Sequence, residues 1–364
     1  MDIYIGLDVH SKHTTYCIQD SNGSTLSTGE FPTTAASFAE FVERHGVPPG
    51  TPVALETGTV AFFVARQLSM LSLDPQVINA NEVRRTARRR GQKSDTRDAE
   101  ELCHGLRTGM YRSIVHVPPR QIRLIRETLM RRRSFVRTAA AQIVAVKALL
   151  RAAGVRRTTA ALKTSKAWKK LVGDLEPTNP ELAQFVDCHR MTWTTAMSQT
   201  RKLEAQLERL GRPYNEHLCR LQQILGVGPI VAITVLAALS DPHRFPSAKH
   251  VASYAGLVPM TSQSGDRDHH GHITKSGNSE LRSMLIEAAH HASKPKHPLH
   301  PMFVRICAKK GYKIAVTAVA HRLLRIMWAM LKNQSDFDVT KLGLEEGPFV
   351  TTKVTHYRLR TRAK

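Results

Sequence analysis

Residues 3–31, IYIGLDVHSKHTTYCIQDSNGSTLSTGEF, are the stretch on which the fold turns. Apolar and polar residues alternate through it in a way that predicts three consecutive strands, Ile3 to Val9, Thr14 to Gln19 and Ser24 to Phe31. A turn fits at His10 to Lys12, and Ser21-Asn22-Gly23 is a strong hairpin signal, because Asn-Gly supplies the positive φ angles that a tight hairpin needs. An antiparallel meander therefore opens the chain. Beyond it, Ala35 to Arg44 reads as a helix with Phe38, Phe41 and Val42 on one face, and Pro52 to Leu55 as a short buried strand running into Glu56. A helix carrying Phe62, Phe63, Ala65, Leu68 and Leu71 and a strand Gln76 to Ile78 complete the order β-β-β-α-β-α-β.

Acids punctuate this order. The first strand ends in Gly6-Leu7-Asp8 and the fourth in Leu55-Glu56-Thr57-Gly58. If the two strands are neighbours, Asp8 and Glu56 converge at one edge of the sheet; taken singly, each reads as an ordinary turn or cap residue. Farther on, Gly91 to Glu100 (GQKSDTRDAE) begins a helix, and Asp95 and Asp98 are three residues apart on one face of its first turn. Such a pair is either an N-cap with a dipole-complementing neighbour or half of a metal site. The second reading gains from the other two acids, since four carboxylates of this kind can bind Mg²⁺, with Mn²⁺ as the alternative, for phosphoryl-transfer chemistry. It gains also from the preceding cations Arg84, Arg85, Arg88, Arg89, Arg90 and Lys93, which are placed to hold a phosphate backbone over the acids.

The whole chain shares that bias. Its 364 residues carry 53 Lys and Arg against 30 Asp and Glu, a net charge of +23, and 41% apolar residues suffice for two or three folded domains. A polyanion, nucleic acid by default, is the expected partner. No apolar run is expected to be long enough to span a membrane and no signal peptide is expected at the start, so no membrane association and a cytoplasmic location are expected. The five cysteines are scattered without a Cys-x-x-Cys pair and read as reduced thiols. The histidines cluster at 269–272 and 290–300, without the spacing of a characterised zinc site.

After the N-terminal α/β domain the pattern turns helical. Gln121 to about Ala153 is one long helix whose outer face carries Arg123, Arg126, Arg131, Arg132, Arg133 and Arg137, a surface suited to nucleic-acid phosphates. Residues 154–180 read as a linker with a short helix around Trp168. From Leu182 through Val186, Trp193, Ala196 and Leu207 to Leu210 runs a heptad seam, open either to a coiled-coil partner or to packing inside the chain. Leu225-Gly226-Val227-Gly228-Pro229 between two short helices is a helix-hairpin-helix signal whose free N–H groups would hold a DNA phosphate, against the plain alternative of a helical hairpin. Thr261 to Gly265 reads as a loop, and Ser264, near Lys275 and Arg282, is a nucleophile candidate, although Ser-Gly is also ordinary loop chemistry. The basic end of the chain is expected to be loosely ordered unless nucleic acid is bound.

Gly6-Leu7-Asp8, Leu55-Glu56-Thr57-Gly58-Thr59 and Lys93-Ser94-Asp95-Thr96-Arg97-Asp98-Ala99 resemble the N-terminal motifs of the DEDD transposases of bacterial insertion sequences, the family that includes the pilin-gene invertases. Ile224 to Pro229, Gly256 to Pro259, Ser264-Gly265 and Lys275 to Asn278 with Leu281-Arg282 resemble its C-terminal domain. The resemblance implies an RNase H-like, RuvC-type α/β domain with a five-stranded mixed sheet, joined through a coiled-coil segment to a mainly α-helical transposase domain. Mapped onto this chain, the division is 1–153, 154–215, 216–335 and a basic tail at 336–364. It implies that Asp8, Glu56, Asp95 and Asp98 bind Mg²⁺ and that Ser264 attacks DNA to form a phosphoserine intermediate, with Ser262 the alternative. It implies also target and donor DNA, a structured guide RNA (a bridge RNA), and a homo-oligomer, dimer or tetramer, in a bacterial cytoplasm. The rival readings are a metal-dependent, structure-selective nuclease that activates water and a non-catalytic nucleic-acid-binding protein.

Overall fold

The expected meander forms from β1 (Ile3–Val9), β2 (His13–Asp20) and β3 (Thr25–Pro32), with all neighbours antiparallel. These and the elements below come from a computed structural model that describes residues 2–86, 94–156, 162–264, 267–342 and 354–359. Helix α1 (Ala35–Arg44) follows, its start capped by Thr34, whose hydroxyl accepts from the Ser37 N–H. Then come β4 (Pro52–Glu56), α2 (Ala61–Met70), β5 (Asp74–Ile78), α3 (Ala80–Thr86) and α4 (Asp95–Arg107). The five strands form one mixed sheet in the order β3-β2-β1-β4-β5, in which β1, β4 and β5 run parallel.

Strand alternation divides this sheet into two packed faces. Ile5, Leu7, Val53, Leu55 and Val77 are fully buried against Phe38 and Phe41 of α1 and Val64 and Leu68 of α2. On the opposite face, Cys17, Ala54 and Ile78 meet Ala99, Leu102 and Cys103 of α4. A sheet covered on both sides accounts for the nearly continuous apolar runs of β1 and β4.

The chain divides into two compact units, Met1–Pro118 and Pro119–Lys364. By packing, the long helix α5 (Arg120–Ala152) belongs with the second unit. There it runs antiparallel to α7 (Pro180–Gly211), as the pairs Gln121 with Leu210, Arg132 with Glu204 and Gln142 with His189 show. The heptad seam is therefore used within the chain: Leu182, Val186, Trp193 and Ala196 are buried with Ala139, Val146 and Leu150 of α5. The short helix expected around Trp168 forms as α6 (Ser165–Leu175), whose Trp168 is wholly buried and lies tilted beside Trp193 with ring centroids 5.7 Å apart.

The rest of the second unit is built on α8 (Asn215–Leu221), α9 (Pro229–Leu239) and α10 (Ala248–Tyr254), then the hairpin β6 (Pro259–Ser264) and β7 (Arg267–Ile273), then α11 (Ser279–Ala289), α12 (His300–Lys310) and α13 (Tyr312–Lys332). Helix α9 is buried along its whole length from Val231 to Leu239, as its uniformly apolar sequence requires. Helix α13 corrects one expectation. With 21 residues and a mean hydropathy of 1.4 it is long and apolar enough to cross a membrane, yet half of it is buried, with Val319, Leu323 and Met327 in the core around α9. Within the tail, the described residues 354–359 are held by packing: Tyr357 is buried beside Gly211, and its N–H donates to Asn215 Oδ1 at 2.8 Å.

Candidate functional site

The parallel register of β1 and β4 pairs Gly6 with Ala54 and Leu7 with Leu55, so the next residues along, Asp8 and Glu56, end neighbouring strands on the same side. Adjacent strands are about 4.8 Å apart. By alternation both acids belong to the face of Gly6 and Ala54, the face covered by α4. Gly6 is what lets α4 approach: a Cβ there would lie 2.1 Å from the Ala99 carbonyl oxygen and 2.4 Å from the Cys103 nitrogen. Cys103 in turn donates from its Sγ to the Tyr4 carbonyl at 3.1 Å, which fixes the helix along β1. The scattered cysteines of the sequence thus yield one close pair, since Cys17 and Cys103 lie in the same buried cluster.

That packing brings the start of α4 to the end of β1. The capping role that was open to Asp95 falls to Ser94, whose Oγ accepts from the Arg97 N–H, and Asp95 is left with an exposed carboxylate. His10 stands between the acids, its Nε2 3.2 Å from Asp8 Oδ2 and 3.7 Å from Asp95 Oδ2. Asp8, His10 and Asp95 each offer one ligand atom within 4.8 Å of the others, as a divalent ion requires. Burial raises the Asp8 carboxyl above its ordinary value; the nearby His10 opposes the rise, and the charges of Asp98 and Asp95 add to it. Asp8 thus feels both acids of α4. Sequence reasoning missed His10, which had been read as a turn residue, although a histidine two residues after a strand-end acid was the available signal.

The candidate phosphate contacts divide into several groups. Arg84 and Arg85 are exposed on α3, whereas Arg88, Arg89, Arg90 and Lys93 lie outside the described residues. Glu82 anchors that helix by accepting from the Arg112 and Ser113 N–H groups at 3.0 and 2.6 Å. Arg131 is exposed, but Arg132 pairs with Glu204 at 2.7 Å and Arg133 with Glu280. Arg126, expected on the outer face, turns inward and donates to the Ala237 and Ala238 carbonyls at the end of α9. Arg282 donates to the Ala255 carbonyl at 2.8 Å, while Lys275 is exposed. Gly226, at φ +88°, packs against His291, and Gly228 precedes the first turn of α9. Ser262 and Ser264 lie on β6, where the sequence suggested a loop, and Ser264 pairs with Arg267 next to the hairpin turn. The four acids belong to the first unit and both serines to the second.

The molecule is thus an α/β unit with acids gathered at parallel strand ends, followed by a mainly helical unit. Two family models match it: a transposase model of the DEDD, IS110 type over residues 5–154, and the IS116/IS110/IS902 family transposase over residues 219–304. A transposase of Sinorhizobium fredii is 28% identical over 310 residues, covering 82% of this chain and 77% of the relative. A family 20 transposase of Pseudomonas aeruginosa is 27% identical over 308 residues, 79% and 86% of the two chains. The pilin gene-inverting protein of Moraxella bovis is 33% identical over 157 residues, 42% of this chain and 49% of that one. The chain carries the transposase domains of the IS110/IS116 family and is an enzyme of DNA cleavage and transfer. A DEDD domain of this kind points to dependence on a divalent metal.

Proposed function

We propose that the protein is a site-specific DNA recombinase that cleaves and rejoins DNA through a phosphoserine intermediate on Ser264, with Mg²⁺ or Mn²⁺ held by Asp8, Glu56, Asp95 and Asp98 and a structured RNA as guide. The observation that carries this reading is the convergence of Asp8, His10 and Asp95 on one point at the end of β1. Carboxylate oxygens with one imidazole nitrogen suit a hard or borderline divalent ion. The strand order β3-β2-β1-β4-β5 supports an RNase H-like, RuvC-type domain. A bound divalent ion supplies charge stabilisation at the phosphate and eases deprotonation of a hydroxyl. Asp8 and Glu56 hold their ligand atoms from strands, and Asp95 and Asp98 from a helix seated on those strands.

In the reaction, Ser264 Oγ forms a bond to phosphorus while the bond from phosphorus to a deoxyribose oxygen breaks, and that oxygen takes up the proton. The new phosphodiester keeps the energy of the old one, so reversal on a second DNA end rejoins strands without ATP. The net charge of +23 supports a large polyanionic partner, and we assign it to target and donor DNA together with the guide RNA, on a homo-oligomer in the bacterial cytoplasm. The test is a denaturant-stable protein–DNA adduct formed by the full chain with its element's end sequences. Ser264→Ala should abolish the adduct and Ser262→Ala should spare it; cleavage that survives Ser264→Ala would favour a water-activating nuclease. Sequencing the RNA that copurifies from cells carrying the native flanking DNA tests the guide, and recovery of no discrete flank-encoded species would remove it.

A further inference from the structure

The stretch from Ala288 to Ser335 contains nine Lys and Arg and no Asp or Glu. It spans the end of α11 and all of α12 and of the long helix α13. Where it turns, an aromatic surface is exposed. Gly311, at φ +83°, ends α12 and lets the chain reverse directly into Tyr312, the first residue of α13. Tyr312 is 46% exposed, and its hydroxyl lies 2.9 Å from Nδ1 of the exposed His290. The two rings are nearly parallel, 21° apart in plane with centroids 5.7 Å apart. Buried Phe303 of α12 meets the Tyr312 ring in a T-shaped contact with centroids 5.5 Å apart, which limits the ring's movement. A tyrosine so fixed presents its ring with little freedom left to lose on binding.

Cations surround this surface. Lys309 and Lys310 close α12 and Lys313 follows Tyr312; all three are exposed and have no carboxylate partner among the described residues. Lysines at a helix end complement its dipole, but that accounts for Lys309 and Lys310 and not for Lys313 in the first turn of α13, where a cation is unfavourable. Val304 of α12 and Ile314 of α13 are exposed apolar residues of the same two helices. A rigid aromatic face amid unpaired lysines is the chemistry that binds single-stranded nucleic acid: cations track the phosphates while a base stacks on the ring. Duplex DNA does not satisfy it, because its bases are already stacked on one another.

We propose that His290 and Tyr312, with Lys309, Lys310 and Lys313, form a site for an unpaired nucleotide of single-stranded DNA, such as strand transfer exposes when a duplex is opened. This site shares no residue with the carboxylate centre, and binding at it needs no metal. The test uses the full-length protein and a fluorescent oligothymidylate carrying one 2-aminopurine, whose emission is quenched by stacking, without added metal. Wild-type protein should bind and quench. Tyr312→Ala should weaken binding at least about fivefold, the lower end of one base–aromatic stack, and relieve the quenching. Tyr312→Phe should keep both, which separates loss of stacking from loss of fold. Replacing Lys309, Lys310 and Lys313 together by Ala should lower the slope of log affinity against log salt by about 2. Unchanged affinity and quenching in a folded Tyr312→Ala variant would overturn the proposal. Tighter, Tyr312-dependent binding of oligouridylate would also overturn it, by making the ligand RNA.

Discussion

Gly6→Ala adds a single methyl group at the contact on which the carboxylate site depends. The new Cβ would start 2.1 Å from the Ala99 carbonyl oxygen and 2.9 Å from Cys103 Cβ. Ordinary contact begins at 3.4 Å, so α4 has to lift by about 1.3 Å, and the nearest obstacle is backbone, which no rotamer change can move aside. Overpacking of this kind costs about 1–3 kcal/mol. The helix carries Asp95 and Asp98, whereas Asp8 and Glu56 stay with the sheet, so the displacement acts directly on the distance between the two halves of the site. A misplacement of about 1 Å in a positioned site costs on the order of 100-fold in rate. The assay pairs urea denaturation with Mn²⁺ binding followed by electron paramagnetic resonance on the full chain. The expected result is a stability loss within that range together with at least a tenfold loss of metal affinity in protein that remains folded. Wild-type Mn²⁺ affinity in Gly6→Ala would refute the reasoning, because it would mean that α4 does not set the ligand geometry.

Three further outcomes can be checked. His10→Ala should weaken Mn²⁺ binding more than Mg²⁺ binding in calorimetric titrations, because an imidazole among the ligands favours the softer ion; equal losses for both ions would remove His10 from the ligand set. His297 is wholly buried and its pKa is pushed down to about 4, by burial first, with the Leu225 backbone opposing and the charges of His291 and His300 adding to the fall. The native state keeps it neutral while the unfolded chain protonates it near pH 6.5, so its contribution is complete above about pH 6.5 and is lost as pH falls towards 4, a change of about 3 kcal/mol. Urea titrations of wild type and His297→Phe at pH 7.5 and 4.5 should differ in their pH dependence by about that amount, and parallel behaviour would contradict the assignment. Arg126→Met removes both side-chain bonds to the end of α9 and should cost about 2–4 kcal/mol by the same assay; a loss under 1 kcal/mol would show that the carbonyls find other partners.

The first unit was legible because its signals are local. Alternation over residues 3–31 and the Asn-Gly turn required a meander, and acids after apolar strands required only that β1 and β4 be neighbours, which their parallel pairing provides. The role of Gly6 was hidden, since its reason lies in α4, more than 90 residues later. The cap of α4 stayed open for a simpler cause: Ser94 and Asp95 are both good caps, and only the backbone angles select the serine. In the second unit the heptad seam was visible, but its partner was not, because a heptad pattern has the same spacing whether it meets another chain or the antiparallel α5. The hairpin β6–β7 escaped because its polar, His-rich sequence has no apolar residues alternating along it to mark strands.

Composition also misled in one instructive way. A helix carrying many arginines on α5 invited the inference that each faces nucleic acid. The structure instead assigns Arg126 to the end of α9, Arg132 to Glu204 and Arg133 to Glu280. Guanidinium suits such internal work, since its planar fork makes several directed hydrogen bonds and its charge survives partial burial. Lysine's compact, strongly hydrated charge suits it less, and the exposed lysines around Tyr312 have no acid in their own stretch of chain to pair with. The cationic excess of this protein is therefore better weighed by partner than by count: a paired arginine contributes to stability and little to polyanion affinity, and an unpaired lysine does the reverse. On that reasoning the turn between α12 and α13 is a stronger claimant for nucleic acid than the paired positions of α5, even though α5 is the more conspicuous basic segment in the sequence.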